Sequence, residues 1–115
     1  MADDLMVFRG IRFARAERFR PPEPIPLTEM PSPGGNYGSP APQNPDPLDY
    51  MWGEVLAPGD EDCLTLNIWT PAVDNARRPV MVYIHGGAFI IGSGRWGLIR
   101  RHETGPTRAS RPRDH

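Results

Sequence analysis

Lysine is missing altogether from the 115 residues, and all thirteen basic side chains are arginine. That bias fits a GC-rich coding sequence better than a need for bidentate anion binding, although arginine would serve either. Fourteen acidic residues bring the net charge to −1, so the chain as a whole has no field that would gather nucleic acid or an anionic membrane. Cysteine occurs once, at Cys63, which excludes an internal disulfide and leaves too few thiolates for a structural zinc site. His85, His102 and His115 have no metal-ligand spacing, so neither a metal nor another cofactor is expected. Met1 is followed by Ala2-Asp3-Asp4, without the basic start and apolar stretch of a signal peptide, and no apolar run approaches the length of a membrane span. These features lead us to expect a cytoplasmic chain with no membrane and no nucleic-acid partner. Large aliphatic residues are also scarce: Leu, Ile, Val and Phe total 23 of 115, at the edge of the range associated with disorder.

Proline is abundant instead, and most of the fifteen prolines stand between Pro21 and Pro58, where they remove backbone donors and oppose regular helix. This third of the chain is expected to be connective loop, with Tyr37, Tyr50 and Trp52 anchoring it to a sheet. Before it, Leu5 to Phe8 reads as a short strand that enters a turn at Arg9-Gly10. Arg9, Arg12, Arg15, Arg18 and Arg20, interleaved with Phe13 and Phe19, could pass for a phosphate-binding patch. Glu17 and Glu23 beside them and the stop at Pro21-Pro22 favour a solvated loop. After it, Leu64, Leu66 and Ile68 alternate with Thr65 and Asn67 in the two-residue period of a half-buried strand, which ends near Thr70-Pro71. A turn at Asp74-Asn75 leads to Val80-Met81-Val82-Tyr83-Ile84, a continuous apolar run of the kind expected for an interior strand covered on both faces.

Directly after that run comes a glycine-rich stretch, His85-Gly86-Gly87-Ala88-Phe89-Ile90-Ile91-Gly92-Ser93-Gly94. A glycine turn at the carboxyl end of a buried strand is where open α/β sheets place their sites. Ester hydrolysis passes through a tetrahedral intermediate whose oxygen becomes negative, and backbone N–H groups held about 3 Å from that oxygen stabilise it. Glycines lack the β-carbon that would bar such a close approach. By this logic Gly87 and Ala88 are the candidate donors, with Gly86 shaping the turn and leaving room.

Several blocks, in order, resemble the type-B carboxylesterases, the α/β-hydrolase family that includes para-nitrobenzyl esterases and cholinesterases. Val7-Phe8-Arg9-Gly10-Ile11 is similar to the family's early strand, and Arg18-Phe19-Arg20-Pro21-Pro22 to its Arg-Phe-x-Pro-Pro, with Pro42-Gln43 following at a suitable distance. Glu61-Asp62-Cys63-Leu64-Thr65-Leu66-Asn67-Ile68 matches the Glu-Asp-Cys-Leu-x-Leu-Asn-Ile signature. Pro79 to Phe89 matches the strand and oxyanion loop. The resemblance covers about residues 7–97. It implies an α/β class, specifically a partial α/β-hydrolase fold made of the amino-terminal strands and long loops. It also implies a serine hydrolase that acts on small-molecule carboxylic esters through an acyl-enzyme, with an oxyanion hole at Gly86, Gly87 and Ala88. Many members pair the signature cysteine with a partner just before the Pro-Gln. Ala41 stands there, so Cys63 is expected to be a buried free thiol.

The same resemblance shows what is missing. A Gly-x-Ser-x-Gly elbow followed by an acid and a histidine is required for this chemistry, and Ser93, flanked as Ile91-Gly92-Ser93-Gly94-Arg95, does not supply it. We therefore expect residues 1–97 to be the amino-terminal part of a carboxylesterase domain, truncated after the oxyanion loop and inactive alone. Residues 98–115, rich in arginine and nearly devoid of apolar side chains, depart from the family. A reading-frame change near Gly97 explains that break, and a natural basic tail is the alternative. Two rivals come from other classes. Gly92-Ser93-Gly94-Arg95-Trp96-Gly97 spells Gly-x-Gly-x-x-Gly with Asp114 about twenty residues on, but the strand, helix and second strand of a dinucleotide fingerprint are not in place around it. A non-catalytic binding protein on a truncated hydrolase scaffold is the other.

Overall fold

The computed structural model describes residues 5–28 and 31–95. The arginine-rich tail, 98–115, lies outside the described residues, as do Trp96 and Gly97. Four strands and one short helix follow in the order β1 (Met6–Arg12), β2 (Ala14–Arg15), β3 (Glu23–Pro24), α1 (Pro47–Trp52) and β4 (Thr65–Thr70). Short strands, long loops, little helix and an open sheet make this a partial α/β-hydrolase arrangement, the class expected from the sequence.

β1 and β4 pair antiparallel, with Met6 opposite Thr70, Val7 opposite Trp69 and Phe8 opposite Ile68, and then Ile11 opposite Leu66 and Arg12 opposite Thr65. From Phe8 to Ile11 β1 takes one more residue step than β4, so the strand bulges and does not end at Arg9-Gly10 as the sequence suggests. Gly10 makes the bulge possible. Its φ is +64°, and a β-carbon there would stand 2.4 Å from the Asn36 carbonyl oxygen. Its N–H, turned out of the ladder, donates to Asn67 Oδ1 at 3.0 Å. The free edge of β1 is met by the loop at Gly34: Arg9 N–H donates to Gly34 O at 3.0 Å and Gly34 N–H to Val7 O at 2.6 Å.

The two-stranded β2–β3 pairing, with Pro24 in its second strand, is held by backbone bonds from Phe13 to Leu64 and from Ile25 to Phe13. The arginines of this stretch face carboxylates. Arg12 pairs with Asp62, Arg15 with Glu23 at 3.2 Å, and Arg18 with Glu61 at 2.7 Å. The Glu61-Asp62 pair thus ties the start of the β4 segment to the end of β1 and the loop after β2, a structural use for the first two residues of the signature block.

Helix α1 forms inside the proline-rich stretch expected to be loop, and its cause is local. Asp46 caps it by accepting from Leu48 N–H, Asp49 returns a carboxylate to Asp46 N–H, Pro47 sits in the first turn where its missing N–H costs nothing, and Gly53 closes it at φ +77°. Of the aromatic residues expected to anchor this stretch, Tyr37 is half-buried beneath the Arg9 guanidinium, 5.3 Å from its ring centre, whereas Tyr50 is exposed.

The fully buried apolar set among the described residues is small: Phe8, Ala14 and Leu56. Two expectations about burial fail for one reason. Leu66 and Ile68, expected on the covered face of β4, are 38% and 43% exposed, while Thr65 and Asn67 opposite them are half-buried against loops. Val80 to Ile84, expected as an interior strand, joins no ladder and is between 65% and 93% exposed. An apolar face is buried only when a second layer stands over it, and the described residues supply none at either place.

Candidate functional site

The glycine-rich stretch, despite the exposed run before it, has a defined shape. Gly87, Ala88 and Phe89 have φ of +125°, +54° and +66°, three consecutive residues in the left-handed region. The Gly87 carbonyl accepts from both Ile90 N–H and Ile91 N–H at 3.1 Å, so the turn is a short left-handed one closed on itself. Two of its three positions carry a β-carbon, a strain of the kind that persists only where neighbouring structure holds it.

The three residues singled out as an oxyanion hole have different backbone situations. Gly86 is exposed, has no left-handed φ, and would accommodate a β-carbon with nothing within 4 Å. Gly87 would not: a β-carbon would fall 1.8 Å from the Ile91 carbonyl oxygen. Positive dihedral angles fall at Gly87, Ala88 and Phe89 and not at Gly86. As at the start of any helical turn, the first N–H groups are unused by the turn itself. Those of Gly87 and Ala88 donate to no acceptor among the described residues. Phe89 and Ala88 are exposed, and the His85 ring reaches the Gly86 carbonyl through Nδ1 at 2.7 Å.

Residues 92–95, just past the turn, are held from three directions. Gln43 grips Gly92 with both ends of its amide: Nε2 donates to Gly92 O at 3.1 Å and Oε1 accepts from Gly92 N–H at 2.9 Å. Asn67, already bound to Gly10, donates to Gly94 O at 3.5 Å. Arg95 pairs with Glu54, and both side chains are largely covered. Gly92 and Ser93 are buried as a result. Gln43 is itself fixed, its N–H donating to Pro58 O at 3.0 Å while Asp60 N–H donates to Pro40 O at 2.9 Å. The sequence singled out Pro42-Gln43 and Asn67 as family-like positions without assigning them a task. An amide side chain can both give and receive, but nothing in the sequence joins Gln43 to a turn 49 residues away.

Cys63 is a free thiol, half-buried where full burial was expected. Burial pushes it above the ordinary thiol range. A backbone hydrogen bond pulls the other way, and the Glu61 and Asp60 charges add to the rise. Among the described residues no cluster of His, Cys, Asp or Glu could hold a metal ion, and no helix is long and apolar enough to cross a membrane.

Comparison with known proteins agrees with the motif blocks of the sequence. The model of the carboxylesterase family matches residues 1–103. A probable N-octanoylanthranilate hydrolase of Rhodococcus erythropolis is 42% identical over 100 residues, covering 81% of this chain and 21% of that protein. A phenmedipham hydrolase of Pseudarthrobacter oxydans is 40% identical over 103 residues, 82% of this chain and 20% of its own. The para-nitrobenzyl esterase of Bacillus subtilis is 40% identical over 91 residues, 76% of this chain and 18% of its own. The chain therefore spans about a fifth of the length of the curated relatives it matches. No solved structure matches it.

Proposed function

The chain belongs to the carboxylesterase family, and on that premise we propose that its glycine turn is the oxyanion-hole segment of a hydrolase acting on carboxylic esters. Gly87 and Ala88 present their N–H groups to the oxygen that becomes negative in the tetrahedral intermediate. Gly86, with open space where a β-carbon would stand, lets the ester approach. The observation that carries this reading is the self-closed left-handed turn, in which the Gly87 carbonyl is committed to Ile90 and Ile91 while the Gly87 and Ala88 donors are left over. Donors already fixed in place need no reorganisation when charge develops, and that is the source of their catalytic worth.

The nucleophile, general base and acid of the acyl-enzyme route have no counterpart in these 115 residues, so the chain by itself is proposed to be inactive. Two measurements test the pair of statements. The purified chain should give no saturable turnover of para-nitrophenyl acetate above a protein control; turnover abolished by a serine-directed phosphonate would overturn the inactivity. In a chimaera carrying residues 1–97 in place of the matching segment of the Bacillus subtilis para-nitrobenzyl esterase, replacing Ala88 by its α-hydroxy analogue, which exchanges the N–H for an ester oxygen and leaves the φ of +54° accessible, should lower kcat by about 10²–10³, with Ala88→Gly retaining activity. Equal kcat for the two variants would remove Ala88 from the hole.

The division at Gly97 is part of the same proposal, with residues 98–115 read out of frame. One of the other two forward frames beyond the Gly94 to Gly97 codons should encode a hydrophobic strand and then a Gly-x-Ser-x-Gly elbow. If neither does, the tail is genuine.

A further inference from the structure

We propose that Gln43 is a positioning residue for the glycine turn, a clamp that sets the turn's closing end and through it the placement of the Gly87 and Ala88 donors. That purpose rests on the oxyanion role proposed for the turn; the clamp itself rests on geometry alone.

Three observations form the chain of contact. First, both functional ends of the Gln43 amide are spent on one residue, Gly92, at 3.1 and 2.9 Å, and Nε2 also donates to the Ala41 carbonyl at 3.0 Å. A side chain that satisfies the N–H and the C=O of a single residue replaces a strand partner at that point. It fixes the residue's position along the chain and its rotation, which one bond would not do. Second, Gly92 is pressed against the beginning of the turn. Its φ is +111°, and a β-carbon on it would lie 2.4 Å from the Gly86 carbonyl oxygen and 2.7 Å from His85 Nδ1. The two ends of the loop thus meet at Gly92, and whatever holds Gly92 also limits where Gly86 and the next peptide stand. Third, the clamp is the nearest fixed support the turn has. The run before it, Val80 to Ile84, is exposed and joins no ladder, whereas Gln43 is pinned through its own N–H to Pro58 and through Pro40 to Asp60. Two carbon-bearing residues held at positive φ need such over-determination from outside.

The chemistry of the amide makes the proposal testable, because no other neutral side chain of that length both donates and accepts at its tip. Gln43→Met keeps the length and loses both bonds. Gln43→Glu keeps the acceptor, but as a carboxylate it faces the Gly92 and Ala41 carbonyls without a donor; once protonated, it regains one.

The full chain labelled with ¹⁵N-glycine reports on Gly10, Gly86, Gly87, Gly92 and Gly94 together. Gly10 serves as the far-end reference: its N–H is bound by Asn67, whose other end reaches Gly94, so it reports whether a disturbance travels on into the β1–β4 sheet. In Gln43→Met the Gly92 and Gly87 amide signals should both move, with exchange of the Gly92 amide faster by about tenfold or more, the consequence of losing one buried bond, while Gly10 stays in place. In Gln43→Glu the same displacement should appear at neutral pH and reverse on acidification through the carboxyl range. The wild-type chain, taken through the same pH values, gives the contribution of the His85 ring that stands against Gly92. Acid reversal ties the displacement to the donor that the carboxylate lacks, and the joint movement of Gly87 with Gly92 is what a merely local contact would not show. An unmoved Gly92 in Gln43→Met overturns the clamp. So does a displaced Gly92 with an unmoved Gly87, which would make the contact local, or a displacement that spreads to Gly10 and does not reverse in acid. Equal kcat in the two Ala88 chimaeras would leave these amide results standing, so the two failures are distinguishable.

Discussion

Residues 64–70 and residues 80–84 are both rich in β-forming side chains, yet the first stretch pairs along β1 and the second pairs with nothing among the described residues. The difference lies in what each demands of its surroundings. An alternating strand needs one neighbour and one covered face; β1 supplies the neighbour, and Asn67 adds side-chain bonds to Gly10 and Gly94. A continuous apolar run needs neighbours on both edges and layers on both faces, which here would have to come from the rest of a fold of which this chain spans about a fifth. β-propensity marks the segments that would be strands and does not create the partners. An open apolar run of this kind also invites pairing with other chains.

The sharpest break of the comparison is a pair of substitutions. Phe8→Ala, at a position 4% exposed in β1, should destabilise the sheet by about 3 kcal/mol. Val82→Lys, 77% exposed, should change stability by no more than about 0.5 kcal/mol and lower any self-association. Urea unfolding followed by tryptophan fluorescence gives both values. A large loss for Val82→Lys would mean that the run is buried in solution, and the contrast between the two stretches would collapse.

A second pair sharpens the comparison inside the turn. Gly87→Ala combines a φ of +125° with a clash on the Ile91 carbonyl and should cost the turn about 1–3 kcal/mol, seen as faster exchange of the Ile90 and Ile91 amides. Gly86→Ala meets nothing within 4 Å and should leave those amides within about 0.5 kcal/mol of their original protection. Equal effects would show that the left-handed turn does not persist.

Much of the fold is legible in the sequence, and the failures have physical causes. The alternation at 64–68 identifies β4, because period two is a local property of the chain. Which face of it is covered is not local, and Leu66 and Ile68 are exposed. Arg9-Gly10 looks like a turn because glycine permits one; it is a bulge because Asn67, far along the chain, takes the Gly10 N–H. Helix α1 is hidden because the prolines around it outweigh the Asp46-Pro47 start. In the glycine stretch the candidate site is visible as a motif, while its support is not. Gln43 is 49 residues from Gly92, and nothing in local pattern joins them.

The smallest expected effect concerns the turn that joins the two stretches. Arg78 holds Asp74 bidentately at 2.5 and 2.9 Å, and this hydrogen bonding, with a further bond from Ala76 N–H, lowers the Asp74 carboxyl to about 2. A depressed carboxyl favours the folded pairing above the ordinary carboxylate range, about 3.9, and loses that contribution as pH falls through about 2. Carboxyl ¹³C titration should give a midpoint near that value, and Arg78→Ala should return it toward the ordinary one. The pair is exposed, so the midpoint of unfolding should not move measurably. An ordinary midpoint in the unsubstituted chain would dissolve the pairing.

The grip of Gln43 on Gly92 has a consequence for how such sequences drift. Residues that touch through side chains leave a record in comparisons of many homologues, since a change on one side is compensated on the other. Here one partner offers only its peptide group, which every non-proline residue shares, and its own side-chain slot is closed by the Gly86 carbonyl and the His85 ring. Neither position has a compensating move. The contact should therefore appear in a lineage as two independent invariants with no covariation between them, and methods that infer proximity from correlated change would pass over it.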